Sequence, residues 1–412
     1  MYYDDRPYRS KYASAQEAIA DYEPMIKAAI DAKLSNGDSS VNNNIGVDLR
    51  PDKCFVYLNE PSETVLDVDF KNKVERILTT LLYPQWVVKH KSGLNLVARA
   101  GAGVSSANAR ALKFDIHWSL YDRLILPSLG STAKLAFNDH TMRYEIPMMY
   151  QYSWDPLTSP HCAIQGLTGS GKTIQMIVLN SYAKCWADQV FADDKRASAP
   201  EKGVVPDLVI IDPKGDAKMR EYCTKAGYGT IEYIAPDLSQ TQSAFLASAS
   251  DALKRVVDEM NYRYALMAKH KNVKFKHVFV SIDEMRALFE VSNRKLVEST
   301  FGLIDLITLK GRAAGIHLIC GSQNFLAGKS DGCISTPARD NLTLRILLAP
   351  TVTAENARFL FKEIDQQQAE SLIVDQDGYD QAGVGIISDV DRVIVPYKVP
   401  YLKRFTHYDE EC

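Results

Sequence analysis

The residues from Gly166 to Thr173 have the types and the spacing needed to hold a nucleoside triphosphate. Their sequence, GLTGSGKT, fits the phosphate-loop pattern G-x-x-x-x-G-K-[ST]. Glycines let successive backbone N–H groups point at phosphate oxygens, and the helix that follows adds its positive N-terminal end. We expect Lys172 to reach the β- and γ-phosphates of ATP and the Thr173 hydroxyl to bind Mg²⁺. The residues predicted to contact the nucleotide are Gly166, Leu167, Thr168, Gly169, Ser170, Gly171, Lys172, Thr173 and Asp212. The alternative, a chance glycine-rich turn, is disfavoured by the apolar strand before the segment and the apolar helix after it.

A second apolar segment, HVFVSIDE, ends in the acidic pair Asp283 and Glu284. Ligands of parallel α/β sheets bind at the carboxyl ends of the strands, so both acids should face the phosphates. We expect Asp283 to hold Mg²⁺ and Glu284 to orient and polarise the attacking water. The alternative is that the pair only caps the helix that follows.

Polar residues also follow two further apolar strands. Gln323 comes directly after IHLICGS, where an amide can sense the γ-phosphate and relay its loss; the alternative is an ordinary turn glutamine. The segment DLVIIDPKGD places Asp212, Lys214 and Asp216 beyond another strand, around a turn formed by a proline and a glycine. We expect these charges to face the nucleotide cleft or a substrate channel.

The composition is that of an ordinary globular chain of 412 residues, with 46% hydrophobic and 24% charged residues and a net charge of −3. This charge argues against a protein that coats DNA, although a local basic surface remains compatible with it. The seven cysteines form no C-x-x-C pair, which predicts reduced thiols, no zinc site and no disulfide framework. No apolar run is long enough to span a bilayer, and the N-terminus has no signal-peptide core. We expect a cytoplasmic protein that reaches a membrane only through a partner.

The order of apolar segments predicts an α/β fold with two unequal parts. From residue 150 to 400, strands alternate with helices, which is typical of a mostly parallel sheet with crossover helices. The predicted strands there are 162–166, 207–212, 229–234, 277–283, 316–322, 344–349 and 384–388. Residues 45–149 predict a smaller α+β domain, with strands at 54–58, 64–70, 94–98 and 134–138 and helices at 71–82 and 108–117. Residues 1–44 predict a flexible tail and an amphipathic helix that Pro24 kinks or splits, and residues 401–412 a C-terminal tail.

Four segments together resemble the motor domain of the FtsK/SpoIIIE family of DNA translocases: GLTGSGKT, LKRVVDEMNYRYALMAKH, HVFVSIDEMRALF and GRAAGIHLICGSQNF. The resemblance covers about residues 150–390, and the segment IDPKGD is also similar to the coupling ATPases of conjugation systems. It implies a RecA-like P-loop ATPase that assembles as a hexameric ring and threads double-stranded DNA through its pore. Carried over by position, Lys172 and Thr173 are the phosphate-loop residues, Asp283 and Glu284 the metal and water residues, and Gln323 the sensor. Ring ATPases usually add an arginine from the next subunit; Arg312 and Arg345 are the candidates, and a structural salt bridge is the alternative for each.

Three departures from the family pattern narrow the expected role. The chain has no transmembrane segment at its N-terminal end, has no room after Tyr401 for the family's winged-helix module, and reads GSQNF where the family usually has T-Q-R-P. The first two favour DNA transfer by a conjugative or other mobile element, with a membrane-associated transfer or division machinery as partner; a fragment of a longer protein is the alternative. Chromosome partitioning and protein secretion by an ATPase of the same fold remain alternatives, as does a scaffold that binds nucleotide without turnover.

One stretch is dense enough in basic residues to contact DNA. The segment KHKNVKFKH, residues 269–277, precedes the strand that ends at Asp283. Such charges contact backbone phosphates without reading sequence, and the alternative is a solvated surface loop. Weaker candidates are Lys329, Arg339, Lys403 and Arg404.

Overall fold

The computed structural model describes most of the chain. The described residues are 12–34, 44–59, 65–99, 104, 109–118, 123–126, 134–150, 152–198, 205–225, 231–237, 239–270, 272–328, 333–372 and 382–402.

The N-terminal part packs two helices against a small antiparallel sheet. Its strands run in the order β1-β2-β5-β3, and β4 also pairs with β5. Its elements are α1 (Ala15–Leu34), β1 (Ile45–Leu49), β2 (Lys53–Leu58), α2 (Val68–Leu82), β3 (Trp86–Val88), β4 (Leu96–Ala98) and β5 (Arg110–Trp118).

Two predictions for this part were wrong. No strand is found at the described residues of 64–70; residues 68–70 are instead the first residues of α2, because the Asp67 side chain accepts the Phe70 N–H at 2.8 Å and caps a helix. The helix at 108–117 is instead strand β5, in which Leu112, Phe114 and Ile116 are buried with the two-residue period of a strand.

Helix α1 belongs to the core of this part. It is one helix that continues through Pro24, so the predicted kink or split at this residue does not divide it in two. Ala18, Ile26 and Ile30 of α1 are fully buried in the same cluster as the sheet residues Val56 and Phe114. The packing therefore joins the predicted 1–44 and 45–149 segments, whereas residues 1–11 and 35–43 lie outside the described ranges.

A three-stranded meander links the two parts of the chain. It follows β6 (Ile125–Leu126) and consists of β7 (Ala136–Asn138), β8 (Arg143–Met149) and β9 (Tyr152–Trp154). Met148 and Trp154 share a core with Trp186, whose indole N–H donates to the Tyr144 carbonyl at 2.8 Å. The meander therefore continues across residue 149, where the predicted boundary falls.

The C-terminal part is built on a sheet for which the described residues supply eight strands. The strand order is β13-β12-β15-β16-β10-β17-β18-β19; the first six strands are parallel to one another, and β18 pairs antiparallel with both β17 and β19. The strands are β10 (His161–Gly166), β12 (Leu208–Ile211), β13 (Ile231–Ile234), β15 (Val278–Ile282), β16 (Ile316–Ser322), β17 (Leu344–Leu348), β18 (Val384–Ser388) and β19 (Ile394–Lys398). The predicted α/β fold with a mostly parallel sheet is confirmed.

Helices cover both faces of this sheet, which explains why its strands are apolar on both sides. Helix α3 (Lys172–Asp193) packs on one face, and α5 (Gln242–Lys269) and α7 (Arg294–Lys310) pack on the other. Short elements complete the part: β11 (Ala197–Ser198), α4 (Ala217–Lys225), β14 (Val273–Lys274), α6 (Met285–Leu288), a 3₁₀ turn (Gly311–Ala314), α8 (Thr336–Asp340), α9 (Ala354–Ala357), α10 (Gln366–Ser371) and β20 (Tyr401–Leu402). None of the helices within the described ranges is long and apolar enough to cross a bilayer.

The last strands tie the two parts together. Ile394 exchanges backbone hydrogen bonds of 3.0 and 2.9 Å with His90, and β20 pairs in parallel with β6. Strand β19, which supplies Ile394, was not predicted, because its sequence IVPYK contains a proline.

Candidate functional site

The phosphate loop lies at the carboxyl end of β10, between the end of that strand and the first residue of α3. Gly169 and Gly171 have φ angles of 83° and 91°, a region that favours glycine. A Cβ atom at Gly166 would collide with the Ser170 hydroxyl. Leu167, Thr168 and Gly169 are exposed, whereas Lys172 is buried and Thr173 half-buried. The sequence pattern is therefore folded as an open loop whose backbone requires its glycines.

A glycine from the far end of the chain supports this loop. The Gly383 N–H donates to the Ser170 carbonyl at 2.9 Å, and the Gly383 carbonyl accepts the Val399 N–H at 2.7 Å. A Cβ on Gly171 would lie 3.1 Å from the Gly383 Cα, so the two glycines are in close contact. Gly383 was missed in the sequence because its role depends on a long-range approach.

The two acidic residues meet the phosphate-loop lysine. The Lys172 ammonium lies 2.8 Å from Glu284 Oε2 and 3.6 Å from Asp283 Oδ1. Glu284 has a φ of 69°, a left-handed backbone that is uncommon for a residue with a side chain. Such a conformation persists only where the surrounding structure fixes it, and it aims the carboxylate at Lys172.

The Glu284 carboxylate accepts four hydrogen bonds. Oε2 accepts from Lys172 and, at 3.0 Å, from the Lys214 ammonium. Oε1 accepts from the Ser322 hydroxyl at 3.2 Å and from the Gln323 N–H at 3.0 Å. Burial by itself raises the pKa of Glu284, but the bonds from Lys172 and Lys214 outweigh it and hold the pKa below its usual value. The carboxylate is therefore ionised and fully engaged.

Asp283, unlike Glu284, has a carboxylate oxygen without a hydrogen bond and a raised pKa. Its Oδ1 is buried and has no hydrogen-bond donor. Burial raises the pKa of this carboxyl, and the positive charge of Lys172 offsets the shift only in part. A buried carboxylate oxygen without a donor fits a site for a hard cation such as Mg²⁺, which prefers oxygen ligands. Thr173, in the first turn of α3, supplies a second oxygen of the kind that such a site needs.

The structure corrects the assignment of Asp212 to the nucleotide. Asp212 is fully buried, and its carboxylate accepts the N–H groups of Lys214, Gly215 and Asp216 at 3.0, 2.9 and 2.7 Å. The Tyr233 hydroxyl donates to it at 2.9 Å. Asp212 thus shapes the turn, and Lys214, which was predicted to face a cleft, is the residue of this turn that reaches Glu284.

The other predicted site residues, Gln323, Arg345 and Arg312, differ in whether their side chains are exposed or buried. The backbone of Gln323 bonds to Glu284, and its side chain is exposed. Arg345 is buried, and its guanidinium donates to the Leu342 and Leu360 carbonyls at 3.0 and 2.8 Å. This placement corrects its candidacy as an arginine acting on a neighbour's nucleotide, because the group is consumed within its own chain. Arg312 is exposed beside the amino end of β16 and donates to the Leu157 carbonyl at 3.1 Å.

Two of the four lysines in the basic stretch 269–277, Lys274 and Lys276, form internal contacts that make them poor candidates for binding DNA, whereas Lys269 and His270 are exposed and residue 271 lies outside the described ranges. The Lys274 ammonium donates to the Phe191 and Asp194 carbonyls at 2.8 and 2.7 Å. Lys276 lies 2.7 Å from both Asp188 and Asp207.

The histidine that ends the stretch, His277, is half-buried and packs against the buried His317, with their ring nitrogens 2.8 Å apart. Burial, reinforced by the charge of Arg263, lowers the pKa of His277 to about 4. Of the weaker DNA candidates, Arg339 donates to the Phe325 carbonyl at 3.2 Å, and Lys329, Lys403 and Arg404 lie outside the described residues.

A phosphate loop at the carboxyl end of a central parallel strand, with an acidic pair two strands away in the same sheet, defines a RecA-like P-loop NTPase core. The chain is 26% identical over 245 residues to the DNA translocase FtsK of Streptococcus pneumoniae, which covers 54% of this chain and 27% of the relative. It is 28% identical over 250 residues to DNA translocase FtsK 2 of Ralstonia nicotianae; this match covers 52% of the present chain and 27% of the relative. The FtsK domain-containing protein YdcQ of Bacillus subtilis is 23% identical over 261 residues; this match covers 61% of the present chain and 46% of the relative.

These relatives confirm the predicted resemblance to an FtsK/SpoIIIE-type motor domain. The matches to them span between about a quarter and a half of the relatives' own length. Among solved structures, the pCW3 conjugation coupling protein TcpA with ATPγS aligns over 93% of this chain and 95% of its own, at 16% identity and a TM-score of 0.46. No model of a known protein family matches the chain.

Proposed function

We propose that this protein is a motor that hydrolyses ATP to translocate double-stranded DNA, in the manner of the FtsK-type translocases that it resembles, and that it serves conjugative or other mobile-element transfer. The observation that carries the proposal is the meeting of Lys172, Asp283 and Glu284 at the end of the sheet, with Lys172 within 3.6 Å of both acids. A scaffold that only binds nucleotide has no need for the acidic pair.

The residues divide the work of hydrolysis. Lys172 binds the phosphates, and Asp283 and Thr173 hold Mg²⁺, which supplies charge neutralisation at the phosphates. Glu284 orients and polarises the attacking water. In the arrangement described above both of its oxygens are occupied, so at least one donor must leave before water can bind. Gln323 is suited to report the γ-phosphate, because its own N–H holds Glu284 while its side chain is exposed.

The ring assembly and the DNA contact are further parts of the proposal. In a hexameric ring, Arg312 is the remaining candidate for an arginine acting across the subunit interface, since its side chain is exposed. For DNA, we select Arg294 and Lys295 at the start of α7, because both are exposed and neither forms an ion pair with any described residue. They follow the strand that carries Glu284, which would place DNA on the nucleotide side of the sheet. A membrane-associated transfer machinery would be the partner.

The variant Glu284→Gln tests the assigned role of Glu284. It keeps the size of the side chain but removes the base, so ATP should still bind while turnover falls by roughly 100-fold or more. The measurement is steady-state ATP hydrolysis with and without duplex DNA, beside the amount of nucleotide that stays bound. The matched control is Glu290→Gln, an exposed glutamate in the same segment, which should hydrolyse ATP as the unaltered protein does. Near-normal turnover of Glu284→Gln would refute the role.

The same assay tests the substrate. Duplex DNA should raise the rate of hydrolysis by the unaltered protein. An active ATPase that ignores duplex DNA would instead point to the protein-secretion alternative.

A further inference from the structure

We propose that Lys214 is a second cation for the γ-phosphate of ATP, and that in the arrangement described here it holds Glu284 in an inactive position. This inference rests on the proposed function and adds a residue to the same site. The Lys214 ammonium lies 3.0 Å from Glu284 Oε2, the oxygen that also accepts from Lys172.

The turn that carries Lys214 is fixed in place. Asp212 binds three consecutive N–H groups of the turn, and Gly215 has a φ of 63°. Asp216 accepts the N–H groups of Lys218 and Met219 at 2.8 and 3.1 Å and so begins helix α4. The buried Asp212 carboxylate thus fixes the backbone of the whole turn. As a result, the turn presents the Lys214 side chain at the site.

The side chain of Lys214 is less constrained than its backbone, and its ammonium is held by the ion pair with Glu284. The side chain is 46% exposed, whereas the Lys172 side chain is 9% exposed. Moving a half-exposed ammonium requires little desolvation, and the flexible stem of a lysine can redirect its charge by several ångströms. Lys214 can therefore exchange partners without a change in the fold.

Two ammonium groups on one carboxylate oxygen are an unbalanced arrangement. Lys172 and Lys214 repel each other at this oxygen, and although Asp283 lies 3.6 Å from Lys172, Glu284 is the acid that both ammonium groups contact. The terminal phosphate of ATP offers further oxygens with more negative charge, so both cations gain by moving to it. The γ-phosphate must sit nearest the acidic pair for hydrolysis, and this is where Lys214 reaches.

Departure of the two lysines would change only one side of the Glu284 carboxylate. Oε1 keeps its bonds from the Ser322 hydroxyl and the Gln323 N–H, so the orientation of the group is preserved. Oε2 loses both of its donors and becomes able to accept a hydrogen bond from water. Binding of the triphosphate thereby prepares Glu284, and binding of ADP, which has no γ-phosphate, does not.

The test compares the variants Lys214→Met and Lys214→Arg in binding a non-hydrolysable ATP analogue and in binding ADP. Methionine keeps the length of the chain without its charge, so the affinity for the ATP analogue should fall roughly ten-fold relative to the affinity for ADP. The Lys214→Arg variant should recover most of this preference. Lys218→Met removes an exposed lysine four residues along and should behave as the unaltered protein does.

Equal loss of both affinities in Lys214→Met would mean that the residue acts on the structure of the site, and unchanged affinities would mean that it does not contact the nucleotide. Either result overturns the inference. Neither result touches the proposed function, which fails if the unaltered protein does not bind or hydrolyse ATP, or if duplex DNA leaves its rate of hydrolysis unchanged.

Discussion

The two ends of the parallel sheet both collect charged residues, but they use them differently. At the carboxyl end, two lysines share one glutamate oxygen and Asp283 has a buried oxygen without a donor. At the amino end, each basic side chain has its own partners: Lys274 two carbonyls, Lys276 two aspartates, and Arg263 the Glu259 carboxylate and the Ala314 carbonyl. What distinguishes the basic side chains at the two ends is whether each has acceptors of its own or shares one with a second cation.

The difference separates a binding site from a structural cluster. A buried group that lacks a partner carries a free-energy penalty that a ligand can remove, so an unbalanced cluster gains from binding. A balanced cluster gains nothing and instead holds its elements together. Arg263 joins α5 to the turn before β16, and Lys274 and Lys276 join the segment before β15 to the end of α3 and to Asp207.

The largest expected effect is the loss of nucleotide binding in Lys172→Ala. Removing the ammonium deletes several charge-assisted bonds to phosphate, so the affinity for ATP should fall by about 100-fold or more. The measurement is equilibrium binding of a fluorescent ATP analogue. Lys184→Ala, on the same helix and paired on the surface with Asp188, is the control and should bind normally. Retained affinity for ATP in Lys172→Ala would show that the carboxyl end of the sheet is not a nucleotide-binding site.

The amino end should instead determine how stability responds to acid. Burial lowers the pKa of His161 and of His277 to about 4, whereas both should titrate near 6.5 in the unfolded chain. Protons are then bound mainly by the unfolded state as the pH falls below 6.5, so stability is lost between pH 6.5 and 4. Between pH 7 and pH 5, each of the two histidines should account for roughly 2 kcal/mol of this loss.

Urea unfolding at pH 7 and pH 5 measures this loss. In His277→Asn the difference between the two pH values should shrink by at least the contribution of one histidine, because His277 also helps to lower the pKa of His317, 2.8 Å away. An unchanged difference would show that the histidine cluster does not govern the acid response.

The smallest expected effect concerns DNA. Replacing Arg294 and Lys295 together with alanine should weaken duplex binding severalfold and reduce the slope of log affinity against log salt by about 1 to 2, because two phosphate contacts are lost. The control is a double variant that combines Lys274→Met and Lys276→Met. It should destabilise the fold and leave the salt slope unchanged. If the salt slope changes only in this second variant, DNA lies at the amino end and the assignment of the two ends is reversed.

The sequence predicted those parts of the site that depend on local pattern. The phosphate loop, the acidic pair and Gln323 were located because each follows a buried strand, and parallel strands bring their carboxyl ends to one edge. Lys214 was expected near a cleft, but its bond to Glu284 depends on how β12 and β15 pair, which no local pattern shows. Ser322 was passed over because a serine at the end of an apolar strand carries no signal of its own.

The errors have a common physical origin. Asp212 looked like a ligand and Lys276 like a DNA contact, because a charged residue in a sequence shows its charge but not its partner. The same limit applied to the smaller part of the chain, where the cap at Asp67 and the two-residue period of β5 were competing local signals that packing decided.

The bond between Gly383 and the Ser170 carbonyl has a consequence for any attempt to shorten the protein. The groups assigned to ATP binding and hydrolysis all come from the parallel strands and from the turns between them. A truncation after β17 would nevertheless remove the glycine that backs the phosphate loop and the strand that anchors that glycine through Val399. The smallest nucleotide-binding fragment must therefore extend beyond the last parallel strand, to residue 399 at least.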